Sequence, residues 1–221
     1  MPEVVVFDVN ETLLDLAALD PHFERAFGDA SVRQHWFAQV LQSALVVTVT
    51  DRYVDFGTIG AAALEMMAAR RTITLSAGDR GAILGGMLTL PPHPEVPESL
   101  ARLRAAGLRL ATLTNSTAKV AEAQLTNAGL VEYFDQVLSV DAVRQFKPAR
   151  ETYRMAAREL GVAASDLRLV AAHDWDVAGA LRAGWAAAVV ARPGMVLSLL
   201  SERPDIVGGD LREVVDQMLG E

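Results

Sequence analysis

The 221-residue sequence predicts an α/β fold: a Rossmann-like, doubly wound parallel sheet with a helical cap inserted after its first strand. Three patterns carry that expectation. Short apolar runs at 4–7, 108–113, 136–140, 167–172 and 186–190 read as strands. Helix-length segments at 97–106, 117–128, 150–160 and 177–183 alternate with the later runs. Such alternation implies crossover connections and hence parallel pairing. The strand runs are also almost wholly apolar, as expected when helices cover both faces of a sheet.

The first run, Val4-Val5-Val6-Phe7, ends in Asp8 and a polar turn. Beyond it the pattern changes. Apolar positions recur at helical spacing in Val32, Trp36, Phe37, Val40 and Leu41, and again in Ile59, Ala63, Met66 and Met67. No convincing central strand interrupts them. Pro91-Pro92-His93-Pro94 marks the return to the sheet, because closely spaced prolines stop a helix and stiffen a connection. Residues 1–15 and 92–221 are therefore the expected core, and residues 16–91 a cap positioned to cover Asp8.

Composition narrows the chemistry. Hydrophobic residues are 51% of the chain and charged residues 22%, close to an ordinary globular protein. A formal charge of −8 argues against nucleic acid or an anionic membrane as the main partner. Cysteine is absent, which excludes disulfides, thiolate catalysis and zinc–thiolate sites. No apolar run reaches the length of a membrane span and no secretion signal is visible, so a cytoplasmic location is expected. His22, His35 and His93 lack paired ligands in the sequence, and no metal site is expected.

Four polar groups occur in order: Asp8, Thr114-Asn115-Ser116, Lys147-Pro148, and His173-Asp174-Trp175-Asp176. In a doubly wound sheet the carboxyl ends of the strands converge on one crevice. A carboxylate there can act as a nucleophile. A hydroxyl and amide turn can cradle an anion, and a lysine can keep clustered carboxylates ionised. Alone, Asp8 would equally suit a turn, and Lys147 a solvated surface. Their company favours a reaction centre.

The motifs Phe7-Asp8-Val9-Asn10-Glu11-Thr12-Leu13, Leu113-Thr114-Asn115-Ser116, Phe146-Lys147-Pro148 with Tyr153, and Trp175-Asp176 with Gly179-Ala180 resemble those of the haloacid dehalogenase superfamily, specifically its L-2-haloacid dehalogenase branch. The resemblance covers essentially the whole chain. It implies hydrolytic dehalogenation of short 2-haloalkanoic acids to 2-hydroxy acids through an aspartyl ester on Asp8, without metal or organic cofactor. It assigns the substrate carboxylate to Thr114 and Asn115, and the departing halide to Arg33 in the cap. Lys147 is expected to orient Asp8, and Asp176 to hold Lys147 or position water. Trp175 either borders the substrate or packs as core. Asn10, Thr12 and Tyr153 complete the expected substrate surroundings, with Thr12 supporting the Asp8 loop or a helix start. The implied partners are a small haloacid and halide, and a homodimer is compatible with the family.

Departures from the family pattern sharpen the reading. Related phosphatases usually carry a second Asp where Asn10 stands, and a metal-binding carboxylate where Ala172 stands. A magnesium-dependent phosphatase is thus the runner-up, and a non-catalytic binding protein on the same fold a further alternative. Dehalogenase relatives commonly have an aromatic residue at position 10, Gly at 11, Ser at 171 and Asn at 173, where this chain has Asn10, Glu11, Ala171 and His173. Glu11 and His173 form a potential pair, in which His173 activates the water that hydrolyses the ester. Otherwise His173 donates to substrate or halide and Glu11 faces solvent.

Overall fold

The computed structural model describes residues 3–220; Met1, Pro2 and Glu221, inside the expected core range, lie outside the described residues. Strands β1 (Val4–Phe7), β2 (Arg109–Thr114), β3 (Gln136–Ser139), β4 (Leu167–Ala171), β5 (Ala186–Val190) and β6 (Ile206–Gly208) form one sheet in the order β3-β2-β1-β4-β5-β6. Every pairing is parallel. β1 is central, with Val6 opposite Ala111 on one side and Leu169 on the other. From β1 the sheet grows in opposite directions toward β3 and toward β6. Its carboxyl end is therefore the topological switch point, where such sheets bind ligands.

Before β2 come helices α1 (Asp20–Phe27), α2 (Val32–Val49), α3 (Phe56–Arg70), α4 (Ala77–Gly86) and α5 (Val96–Ala105). The first four form the helical block, built around α2 against α3. Trp36 Nε1 donates to the Gly60 carbonyl at 2.9 Å, and its ring lies 5.4 Å from that of Phe23. Caps fix the helix starts: Asp55 accepts from Thr58 N at 3.0 Å, and Ser76 Oγ from Asp79 N at 3.0 Å. Exit and return run side by side, since Asp15 N donates to Pro91 O at 2.8 Å and His93 N to Leu13 O at 2.9 Å. Tyr53 donates to Asp141, tying the helical block to the sheet domain.

The later helices are α6 (Ala118–Asn127), α7 (Arg150–Leu160), α8 (Asp174–Arg182) and α9 (Leu211–Leu219). Two expectations need correction. Helix α8 starts at Asp174 rather than 177, so Asp174, Trp175 and Asp176 form its first turn. Strand β6 and helix α9 were not anticipated, although Asp210 caps α9 and Leu211, Val214 and Val215 are buried at helical spacing. Among the described residues no helix is long and apolar enough to cross a membrane.

Candidate active site

Asp8 follows β1 directly, and its N–H still bonds to Val170 O of β4 at 3.0 Å. That backbone anchor leaves the carboxylate at the switch point, 5% exposed. Lys147 Nζ donates to Asp8 Oδ1 at 2.8 Å, to Asp176 Oδ2 at 2.6 Å and to Leu113 O at 2.8 Å. All three ammonium protons thus have an acceptor, and the Lys147 side chain is fully buried. Thr12 Oγ1 donates to Asp8 Oδ2 at 2.6 Å and accepts from Ala172 N at 3.0 Å. The hydroxyl pins the nucleophile loop to the end of β4.

Burial alone would raise the pKa of Asp8, but the Lys147 charge and then His173 hold it well below the usual carboxylate range. Burial would lower Lys147, yet Asp176 and Asp8 raise it instead. Asp176 is raised by burial and by the charge of Asp8, against Lys147. One ammonium therefore serves two buried carboxylates.

His173 caps α8 and is 6% exposed. Its Nδ1 lies 3.3 Å from Asp8 Oδ2, and its Nε2 lies 2.8 Å from Glu11 Oε2. Both ring nitrogens face carboxylates, an arrangement that favours the imidazolium. Burial pushes the His173 pKa down, but the hydrogen bonds and charges of Asp8 and Glu11 outweigh it and raise it to about 9. Trp175 stacks on the imidazole at 5.0 Å. Glu11 adopts φ 63°, a left-handed conformation uncommon for a residue with a side chain and a recurrent mark of functional sites. Its side chain is held by His173 and lies 3.6 Å from Arg33 Nη1, while His93 Nε2 donates to its carbonyl at 3.2 Å. The Glu11–His173 contact anticipated from the sequence exists.

The other expected residues are engaged by protein partners. Tyr153 is fully buried behind Asp176, donating to Oδ1 at 2.6 Å and to the Asp176 carbonyl at 3.1 Å. It orients Asp176. Thr12 likewise spends its hydroxyl on Asp8 and Ala172. Thr114 ends β2 and Asn115 follows it, three residues before α6 begins at Ala118 behind the Thr117 cap. Thr114 Oγ1 accepts from Ser116 N at 3.2 Å and Asn115 Oδ1 from Lys147 N at 3.0 Å, so this turn is built by its own side chains. Asn10 donates to Ser116 Oγ at 3.5 Å and accepts from Gln124 Nε2 at 3.0 Å. Arg33 comes from α2 with its Nε on Asp20 and its charge beside Glu11.

A family model described as haloacid dehalogenase-like hydrolase matches residues 2–184. The chain belongs to that family. It is 31% identical over 214 residues to the (S)-2-haloacid dehalogenase of Pseudomonas sp. (strain YL), covering 96% of this chain and 92% of that one. It is 33% identical over 198 residues to the (S)-2-haloacid dehalogenase of Xanthobacter autotrophicus, covering 87% and 76%. The solved L-2-haloacid dehalogenase of Xanthobacter autotrophicus with chloropropionic acid covalently bound superposes with a TM-score of 0.92 at 28% identity, over 100% of this chain and 99% of that one.

The hydrolase family also includes magnesium enzymes, and the residues here do not fit that ion. The position between Asp8 and Asp176 is filled by the Lys147 ammonium, and Ala172 offers no side-chain oxygen. Magnesium requires hard oxygen ligands in near-octahedral array. Among the described residues, no group of three or more His, Asp or Glu is arranged to hold a metal ion.

Three contributors escaped the sequence reading. Phe37 of α2 packs its ring 6.2 Å from His173. Arg192, after β5, donates to Thr12 O through Nη2 at 2.8 Å and to Glu95 Oε1 through Nη1 at 2.6 Å. Gln124 reaches from α6 to Asn10 and to Met87 O. Their contacts with His173, Thr12 and Asn10 each span more than a hundred residues of chain, a separation that leaves no local signal; Phe37 alone stood out, as a member of a helical apolar stripe.

Proposed function

We propose that the protein hydrolyses 2-haloalkanoic acids to 2-hydroxy acids through an ester on Asp8. The observation that carries this reading is a buried, ionised Asp8 held by Lys147, Thr12 and His173 at hydrogen-bond distance. Such a carboxylate is stripped of water and aimed, as a nucleophile should be. The names of the relatives support the substrate class, and so does the covalent adduct described for the Xanthobacter protein.

In the first step an Asp8 oxygen forms a bond to C2 of the substrate, and the carbon–halogen bond breaks with its electron pair leaving on the halide. The turn Thr114-Asn115-Ser116 receives the substrate carboxylate. Arg33 and the His173 imidazolium face the departing anion, where positive charge stabilises it as it forms. Esterification removes the Asp8 charge, and with it one of the supports of the His173 proton. The imidazole then loses that proton to solvent, and Glu11 keeps its tautomer and orientation.

In the second step neutral His173 accepts a proton from water, whose oxygen attacks the Asp8 carbonyl carbon. The bond from that carbon to the ester oxygen on C2 breaks, that oxygen takes the remaining water proton from the new Asp8 carboxyl, the 2-hydroxy acid leaves, and Asp8 retains one solvent oxygen. Halide and one proton are the net by-products, and no step calls for a metal.

Halide release from (S)-2-chloropropionate, measured with and without chelator, tests the reaction. Single turnover in 18O-labelled water should place the label in Asp8, not in product. With His173→Ala, one equivalent of halide should appear while the Asp8 ester accumulates. Magnesium-dependent release of phosphate without any halide would overturn the reading, and undiminished multiple turnover by His173→Ala would remove the dyad from it.

A further inference from the structure

The loop that carries the nucleophile makes few backbone bonds of its own. Leu13 N and Leu14 N donate to Val9 O at 2.9 and 3.0 Å, and Glu11 N donates to Leu14 O at 2.9 Å. Those bonds leave the carbonyls of Glu11 and Thr12 to partners outside the loop. His93 Nε2 lies 3.2 Å from Glu11 O, and Arg192 places Nη2 at 2.8 Å and Nε at 3.3 Å from Thr12 O. Burial and the Arg192 charge lower the His93 pKa, so His93 donates as a neutral ring and Arg192 is the charged member.

Arg192 is buried and braced from its far side. Its Nη1 donates to Glu95 Oε1 at 2.6 Å, an oxygen that also accepts from Leu211 N at 3.3 Å. Glu95 directly precedes α5 and Leu211 opens α9, while Ala191 N is fixed to Gly208 O of β6 at 2.8 Å. The guanidinium thus ties the nucleophile loop to core elements that carry no reacting group. Because a buried ion pair adds little net stability, its contribution here is to be sought in the carbonyl it holds.

That carbonyl adjoins Glu11, whose φ of 63° is uncommon for a residue with a Cβ and persists only where the surroundings hold it. The supports of the loop are unequal. Asp8 keeps Val170 O, Lys147 and the Thr12 hydroxyl, and Ala172 N fixes that hydroxyl in turn. The Glu11 side chain has His173 at 2.8 Å and Arg33 at 3.6 Å. Loosening the Thr12 carbonyl therefore releases Glu11 before Asp8. We propose that Arg192, braced by Glu95, is a positioning residue for the second step: it holds the turn that puts the Glu11 carboxylate on His173. This rests on the reaction proposed above and adds a residue that touches neither substrate nor reacting atoms.

Two variants test it. Arg192→Met combined with Glu95→Gln removes the hold on Thr12 O and leaves no buried charge unpaired. Arg192→Lys keeps the charge beside Glu95 but loses the two-armed contact. Rapid quench with (S)-2-chloropropionate separates first-turnover halide release from hydrolysis of the Asp8 ester, which mass spectrometry follows. NMR follows the His173 titration in the resting protein. In the double variant halide release should stay close to the unaltered rate, while ester hydrolysis slows by about 10–100-fold and the ester accumulates. The His173 titration should move down from about 9, because Glu11 is one of the groups that raise it. Arg192→Lys should separate the two steps in the same direction and less strongly, and it decides the matter if the double variant does not fold. Both steps slowed alike, with the His173 titration unmoved, would make Arg192 a part of the scaffold only and overturn the proposal. Absence of halide even from the unaltered protein would overturn the reaction, and the titration, which needs no substrate, would still decide whether Arg192 places Glu11.

Discussion

Thr12→Val isolates the contribution of one hydroxyl to the nucleophile loop. Valine matches threonine in shape, and the site is fully buried, so the change removes two hydrogen bonds with little change in volume. The first, to Asp8 Oδ2 at 2.6 Å, is charge-assisted, a class worth about 1.5–3 kcal/mol. The second leaves Ala172 N–H without its acceptor, and an orphaned buried donor costs about 1–3 kcal/mol. Together they give a loss of about 2.5–6 kcal/mol, equivalent to a Tm lower by roughly 5–24 °C in a chain of this size. Thr12→Ser keeps the hydroxyl and loses one methyl, for about 1 kcal/mol. Urea melts of the three proteins measure the difference. In turnover, Thr12→Val should lower kcat more than it raises KM, because the hydroxyl touches Asp8 and not the substrate. If Thr12→Val proves no less stable than Thr12→Ser, the hydroxyl does not hold the loop and the reasoning fails.

Three other outcomes follow from the same geometry. Lys147→Met leaves Asp8 and Asp176 buried without their cation, a loss of about 3–5 kcal/mol; it should be smaller at pH 5 than at pH 8 in urea melts, since the freed carboxylates then bind protons. Glu11→Gln removes a carboxylate from His173, so the histidine titration followed by NMR should move down from about 9. Because the His173 pKa is raised on folding, its stabilisation is full below about 6.5 and disappears as pH rises through about 9 in the native protein; Glu11→Gln should shift that loss to lower pH. Tyr153→Phe should cost about 1.5–3 kcal/mol through its bond to Asp176 and leave KM unaltered, whereas a raised KM would return Tyr153 to the substrate.

The parallel core was legible because its strands are buried on both faces and contain few polar residues to confuse their period. Asp8 and Asp176 could be picked out because they follow such runs, and Lys147 because it stands with Pro148 before a helix in a familiar motif. Glu11 and His173 were legible as a pair because both depart together from a familiar pattern. Helix α9 was missed despite its Asp210 cap and buried Val214 and Val215, since the exposed loop before it broke the alternation. The placement of Tyr153 against Asp176 was not legible because sequence spacing cannot say on which side of Asp176 a ring lies. The structure decides it: Gly179 permits the close approach, as a Cβ there would collide with the Tyr153 ring and hydroxyl.

The sequence by itself determined the residue types of the reaction centre and their order, since chemistry resides in side chains and strand ends are marked by composition. Tertiary structure decided how their charges are shared. A single ammonium neutralises Asp8 and Asp176, and one imidazole bridges Asp8 and Glu11. The contacts of Asp8 with Lys147 and of His173 with Asp8 and Glu11 join residues more than a hundred positions apart, and Coulomb forces and burial depend on distance in space rather than separation along the chain.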